Sequence, residues 1–233
     1  MADQSPRHLV LLPAMLCDED LYRAQIAALG DLVESLPLVV AEAGMAESTA
    51  AVLRRAPARF VLAGTSYGAS LALEVAVTAP TRVLGLWLMG CNPGPHGHPE
   101  AASRLGGRVE AGEFEAVVEE LAQRTVYARG PNGPVAGAAF RRMARRLGPA
   151  VFLQQNATLL GRHDRRGNLP GINCPTLLIW GREDDFAEIA HGSLMASWMP
   201  RANLVVLDDC GHLPPIEQPA AVTDAVRTWL GQV

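Results

Sequence analysis

The sequence predicts an α/β fold of about six mainly parallel strands with helices on both faces and a helical insertion. Short, continuously apolar runs alternate with longer stretches of helical period, the pattern of a parallel sheet covered on both sides. The 233 residues, 49% hydrophobic and 19% charged, supply core material for one large domain and are cramped for two. One region, from Pro95 to Gly171, breaks the alternation with helix-like patterns and no convincing strand. It opens in the Pro/Gly-rich stretch from Asn92 to Pro99 and ends at Gly167-Asn168-Leu169-Pro170-Gly171, turn-forming segments that read as hinges. The expected organisation is a core of residues 1–94 and 172–233 interrupted by a helical insertion of residues 95–171.

Taken in order, the first apolar run is residues 8–12, followed by helical period over 21–29 and a weaker strand within 32–40. Helical period returns over 46–56, then a strand at 59–63, a helix at 69–77 and a strand at 83–89. Beyond the insertion come a strand at 176–180, a helix at 188–198, a strand at 204–207 and a helix at 220–230. No internal repeat or low-complexity tract is present.

Composition removes several function classes. The net charge is −4, and every one of the 20 basic residues is arginine. Without lysine there is no Schiff-base amine, no Ser-Lys dyad and no phosphate loop of the Walker type. A net negative chain without a basic tail is a poor nucleic-acid binder. No apolar run approaches the roughly eighteen residues needed to span a bilayer, and residues 1–8 are polar without a signal-peptide core, so a cytoplasmic protein with no membrane partner is expected. Cys17, Cys91, Cys174 and Cys210 lie far apart and form no CxxC pair, which reads as reduced, mostly buried thiols. His96-x-His98 has a two-residue spacing and no third ligand, and Glu183-Asp184-Asp185 reads as an acidic turn, so no metal is expected.

The chemistry-bearing stretch is Phe60-Val61-Leu62-Ala63 running into Gly64-Thr65-Ser66-Tyr67-Gly68 and then into the helical pattern from Ala69. This is G-x-S-x-G between a strand and a helix. The flanking glycines let the two backbones approach, which forces the serine into a tight turn and presents its hydroxyl. The Tyr67 amide, at the helix N-terminus, can stabilise negative charge. A serine hydroxyl needs a base, and the base an orienting acid. Gly181-Arg182-Glu183-Asp184-Asp185 follows the strand at 176–180, and Gly211-His212 follows the strand at 204–207. The G-x-x-D spacing from Gly181 selects Asp184, with Asp185 as the alternative one residue along. The remaining histidines, His8, His96, His98, His163 and His191, have no such context.

In the order Ser, Asp, His, and in the stretches Gly64 to Gly68, Cys174-Pro175-Thr176 through Asp184, and Gly211-His212 with Glu217-x-Pro219, the chain resembles α/β-hydrolase-fold serine hydrolases of the small carboxylesterase and enol-lactonase type. The resemblance implies that Ser66 is the nucleophile, His212 the general base and acid, and Asp184 the carboxylate fixing the imidazole tautomer. It implies an oxyanion hole of the Met15 and Tyr67 backbone N–H groups, although Pro13 and Ala14 stand where the family usually has His-Gly. It implies a cofactor-independent hydrolase acting on a small-molecule ester or lactone, with the insertion as a lid. The first strand starts too early for the family's two antiparallel strands, hence six strands rather than eight. A serine nucleophile argues against the haloalkane dehalogenase and epoxide hydrolase branches. The same triad serves carbon-carbon bond hydrolysis, lyase chemistry, thioester hydrolysis and acyl transfer, and a ligand-binding protein with a silent triad is the rival from another class.

The insertion carries 11 Arg against 7 acidic residues on an otherwise acidic chain. Phe140, Met143, Ala144 and Leu147 share one helical face, which leaves Arg141, Arg142, Arg145 and Arg146 on the opposite, solvated one. Arg162, Arg165 and Arg166 sit at the return hinge, where an arginine can meet a substrate carboxylate bidentately. The substrate is therefore expected to bear a carboxylate.

Overall fold

A computed structural model describes residues 7–233; residues 1–6, most of the polar start noted above, lie outside the described residues. Six strands form one sheet: β1 (Arg7–Leu12), β2 (Val33–Pro37), β3 (Phe60–Thr65), β4 (Val83–Met89), β5 (Thr176–Gly181) and β6 (Ala202–Leu207). Their order is β2-β1-β3-β4-β5-β6, and every neighbouring pair is parallel. Each crossover is made by helix: α1 (Arg23–Leu29), α2 (Met45–Arg55), α3 (Tyr67–Thr78), then α4 (Pro99–Glu110), α5 (Phe114–Thr125) and α6 (Gly133–Leu160) between β4 and β5, and α7 (Ile189–Trp198). A short α8 (Pro214–Glu217) and α9 (Pro219–Leu230) close the chain. Among the described residues no helix is long and apolar enough to cross a membrane.

The period of two along the strands divides the core. Leu9, Leu11, Val61, Ala63, Trp87, Met89, Leu177 and Ile179 face one side, packed with Leu29 of α1 and Val226 and Trp229 of α9. Val10, Leu12, Phe60, Leu62, Leu86, Leu88, Leu178 and Trp180 face the other, with Val52 of α2, Leu71 and Val75 of α3 and Met195 of α7. Both faces are covered, so the central strands β3 and β5 are buried along their whole length. The four cysteines are free, three of them buried.

The insertion shares the first core. Val117, Val118 and Leu121 of α5 and Phe140, Met143 and Phe152 of α6 belong to the same buried cluster as Leu9 and Trp87. Helix α6 is two arms: Gly148 takes φ +80°, ψ 176°, and Pro149 begins the second. A proline is tolerated there because the first turn of an arm needs no N–H donor.

The arginines of the first arm do more than face solvent. Arg141 and Arg145 pair with Glu119 and Glu115 of α5, and Arg146 grips Asp18 through two bonds of 2.7 and 2.8 Å and also reaches Asp20. The solvated-face expectation overlooked that acids on α5 and beyond β1 lie within reach. Only Arg142 among the four makes no ion pair among the described residues.

Candidate active site

The residues singled out from sequence converge at the C-terminal ends of the strands. Ser66 follows β3 directly and caps α3 with φ +55°, ψ −112°, a conformation costing about 1–3 kcal/mol for a residue with a side chain. The glycines beside it explain how the surroundings sustain this. A Cβ on Gly64 would lie 2.3 Å from the Gly68 carbonyl oxygen, and one on Gly68 would lie 2.0 Å from the Leu12 carbonyl oxygen. Strand, helix and the segment after β1 are thus packed backbone to backbone.

His212 lies beyond β6 in the turn before α8, its side chain only 7% exposed. Its Nδ1 stands 2.9 and 2.8 Å from the two carboxylate oxygens of Asp184, whose side chain is 1% exposed. Asp184 Oδ1 also accepts the Phe186 and Ala187 N–H groups at 2.8 and 2.9 Å, which fixes the carboxylate from behind. A donor at Nδ1 leaves Nε2 as the lone-pair nitrogen on the other side of the ring. Asp185, the alternative acid, is exposed and lines a neighbouring cleft of about 390 Å³ with Arg129, Tyr127 and Glu183.

Ser66, His212, Ala14 and Met15 line one cavity of about 50 Å³, closed by Leu121 and Thr125 of α5, Phe140 of α6 and Phe186. Among the described residues the imidazole's hydrogen bonds are those of Nδ1 to Asp184 and none joins the ring to the serine hydroxyl, a looseness common where substrate tightens the contact. Among the described residues, neither the Met15 nor the Tyr67 N–H is taken up by another group. The Cys17 N–H is bonded to the Ala14 carbonyl at 3.0 Å, and because C=O and N–H point oppositely across a trans peptide, the Met15 N–H is turned the other way.

Three groups to which the sequence assigned no role shape the site. Gly90 directly follows β4 at φ +56°, where a Cβ would stand 3.0 Å from His212 Nδ1 and 3.1 Å from Asp184 Oδ2; glycine admits the pair. Glu217, part of the motif above but without a stated role, is buried and accepts the N–H groups of Gly211 and Leu213, on either side of His212, and of Tyr127 from the insertion, each at 2.8 Å. Burial pushes its carboxyl above the usual carboxylate range. Phe186 sets its ring 5.1 Å from the imidazole, and the Arg124 guanidinium lies 4.5 Å above Phe186. A glycine at a strand end and a glutamate five residues past the histidine were visible signals; the Phe186 stack had none.

The hinge arginines are placed differently from expectation. Arg165 makes a two-bond pair with Glu74 of α3, Arg166 pairs with Asp164, and Arg162 donates to the Pro95 carbonyl at 3.0 Å and to Ser70. None of the three lines the cavity. Arg165 and Arg166 are thus engaged by carboxylates of the chain itself, and Arg162 ties the end of the insertion to its start at Pro95, its buried Nε having no partner among the described residues. Burial pushes the Cys17 and Cys210 thiols far up, and neither lines the cavity. Among the described residues no three His, Cys, Asp or Glu side chains cluster as a metal site would require.

Comparison with known proteins agrees with the fold. Residues 9–225 match the family model described as "Alpha/beta hydrolase family". A pimeloyl-[acyl-carrier protein] methyl ester esterase of Yersinia enterocolitica is 30% identical over 198 residues, 81% of this chain and 76% of that protein. The protein of the same description from Nitrosomonas europaea is 26% identical over 181 residues, 74% of this chain and 72% of the other. Among solved structures, a thermophilic esterase from Thermogutta terrifontis superposes with a TM-score of 0.87 at 26% identity, covering 98% of this chain and 90% of its own. The enol-lactonase of Burkholderia xenovorans LB400 superposes with a TM-score of 0.86 at 21% identity, covering 99% and 92%, a likeness of fold. This chain belongs to the alpha/beta hydrolase family.

Proposed function

We propose that the protein is a serine hydrolase cleaving a small carboxylic ester or lactone through an acyl-enzyme. The observation carrying this reading is the buried His212–Asp184 pair, whose imidazole shares one small cavity with Ser66 and Met15, beside the unengaged Met15 and Tyr67 amides. Ser66 Oγ attacks the carbonyl carbon while His212 Nε2 accepts its proton, and the developing imidazolium is stabilised by Asp184. The Met15 and Tyr67 N–H groups receive the oxyanion. His212 returns the proton to the leaving oxygen; water then repeats the sequence on the acyl-enzyme.

The cavity walls are apolar apart from Thr125 and the reacting residues, and the space is small. This supports a compact, uncharged reacting end. The insertion, which supplies Leu121, Thr125 and Phe140, acts as the lid. For a carboxylate elsewhere on the substrate, the Arg124 guanidinium, stacked on the cavity-lining Phe186, is a source of positive charge next to the cavity wall.

The test is Ser66→Ala on turnover of p-nitrophenyl acetate and on labelling by a fluorophosphonate probe. Loss of a triad nucleophile costs on the order of 10⁶-fold in rate, and labelling should vanish with it. A folded Ser66→Ala protein with near wild-type turnover would overturn the mechanism. A folded wild type that neither labels nor turns over esters would mark a ligand-binding protein with a silent triad. Parallel assays on a methyl ester, a lactone, a thioester and a 1,5-diketone assign the scissile bond.

A further inference from the structure

Leu16 has φ +59°, a left-handed conformation that a branched, fully buried side chain rarely adopts. Such a residue persists only where its neighbours over-determine it. Its N–H donates at 3.0 Å to Oε1 of Gln155, on the second arm of α6. Gln155 is itself 1% exposed, and its Nε2 donates at 3.0 Å to the Val40 carbonyl beyond β2. That second bond fixes which end of the amide faces Leu16: only with Nε2 on Val40 is Oε1 available to accept. The two peptide planes flanking Met15 are thereby both anchored, one by the Cys17 N–H on the Ala14 carbonyl and the other by Gln155 on the Leu16 N–H.

We infer that Gln155 is a positioning residue for the oxyanion hole: by holding the Leu16 N–H it keeps the Met15 N–H directed into the cavity that contains Ser66. The inference rests on the serine-hydrolase reading above. It also gives the insertion a part in the chemistry, because the amide that sets the hole lies on a lid helix and is absent from the strand ends that carry the triad.

Two substitutions test it. Gln155→Leu keeps the volume and removes the acceptor. Removing one oxyanion donor costs roughly 10²–10³-fold in kcat, and a misdirected one should cost about 10-fold or more, with KM for p-nitrophenyl acetate little changed. Affinity for a trifluoromethyl ketone, which binds as a tetrahedral oxyanion, should fall in proportion to kcat/KM. Gln155→Glu supplies the rescue. Burial raises a carboxyl's pKa, so at neutral and mildly acid pH the side chain is a neutral acid, accepting from Leu16 and donating to Val40. Its kcat should approach wild type there and fall at higher pH as the carboxyl ionises, a fall the wild type lacks. Turnover is expressed per fluorophosphonate-reactive site, so partial misfolding does not imitate the effect. Wild-type kcat and ketone affinity in Gln155→Leu, with or without a lowered Tm, would overturn the inference, as would a Gln155→Glu profile parallel to wild type. If Gln155→Leu fails to fold, the Gln155→Glu profile decides alone. Failure of the underlying reading looks different: turnover then survives Ser66→Ala, whatever Gln155 does.

Discussion

Asp184 and Asp185 are adjacent in sequence and opposite in circumstance. Asp184 is buried against His212 Nδ1 with two backbone N–H groups behind it, whereas Asp185 is exposed on the neighbouring cleft. Asp184→Asn would offer Nδ1 an NH₂ in place of an acceptor and favour the tautomer that cannot take the serine proton, costing about 10⁴-fold in kcat on the triad precedent. Asp185→Asn should cost no more than a few-fold. Both are read as kcat on p-nitrophenyl acetate, and the reverse ranking would move the acid by one residue. The pairing of Asp184 with His212 was legible because the Gly181-x-x-Asp184 spacing has a steric cause: a Cβ on Gly181 would lie 2.1 Å from the Gly211 carbonyl oxygen, so glycine lets the two turns close on each other. Gln155 was not legible. An amide inside a long helix has no spacing to betray it, and its partners, Leu16 and Val40, are more than a hundred residues away.

At the scale of elements, what the pattern revealed best was the strand, turn and helix around Ser66, because sterics leave few alternatives there. The expected strand at 59–63 and helix at 69–77 are β3 and α3, with Ser66 between them. Gly68 binds a third element to this pair, since it sits directly against the carbonyl of Leu12 at the end of β1. Gly68→Ala must therefore push the start of the Pro13–Asp18 turn away from α3, carrying the Met15 amide with it. The expected result is a fall in kcat of about 10²-fold or more, with KM less affected, and a loss of about 1–3 kcal/mol of stability from overpacking, measured by denaturant titration. Wild-type kcat in a folded Gly68→Ala protein would show that the turn moves independently of the hole. The insertion was harder to read. Its helical character shows in its periodicity, but the acids that occupy its arginines come from elsewhere: Asp18 beyond β1, Glu74 on α3, Glu115 and Glu119 on α5. Charge counting along the chain cannot see partners that only folding brings near.

For the whole molecule, the question is whether the insertion is a separable unit, as its position between two hinges suggests, or part of one cooperative structure. Its helices add Val117, Val118, Leu121, Phe140, Met143 and Phe152 to the core that packs on β1, β3, β4 and β5. It is also tied down at both ends and in the middle: the Arg165 N–H bonds the Pro93 carbonyl at 2.8 Å, Arg165 holds Glu74, and Arg146 holds the buried Asp18. An element that shares its apolar surface with the sheet cannot leave without exposing the sheet's own side chains to water, at about 25 cal/mol per Å² of apolar area. One cooperative transition is therefore expected. Its four tryptophans make this measurable, because Trp87, Trp180, Trp198 and Trp229 all lie outside the insertion, while α4, α5 and α6 supply a large share of the helix. Tryptophan fluorescence consequently follows the sheet and its flanking helices, and far-ultraviolet circular dichroism weights the insertion. The two denaturation curves should superimpose, and Arg165→Ala should shift both together. A circular dichroism transition preceding the fluorescence one would show an insertion that melts by itself, and would make closure over Ser66 a folding equilibrium of the lid in place of a fixed property of the fold.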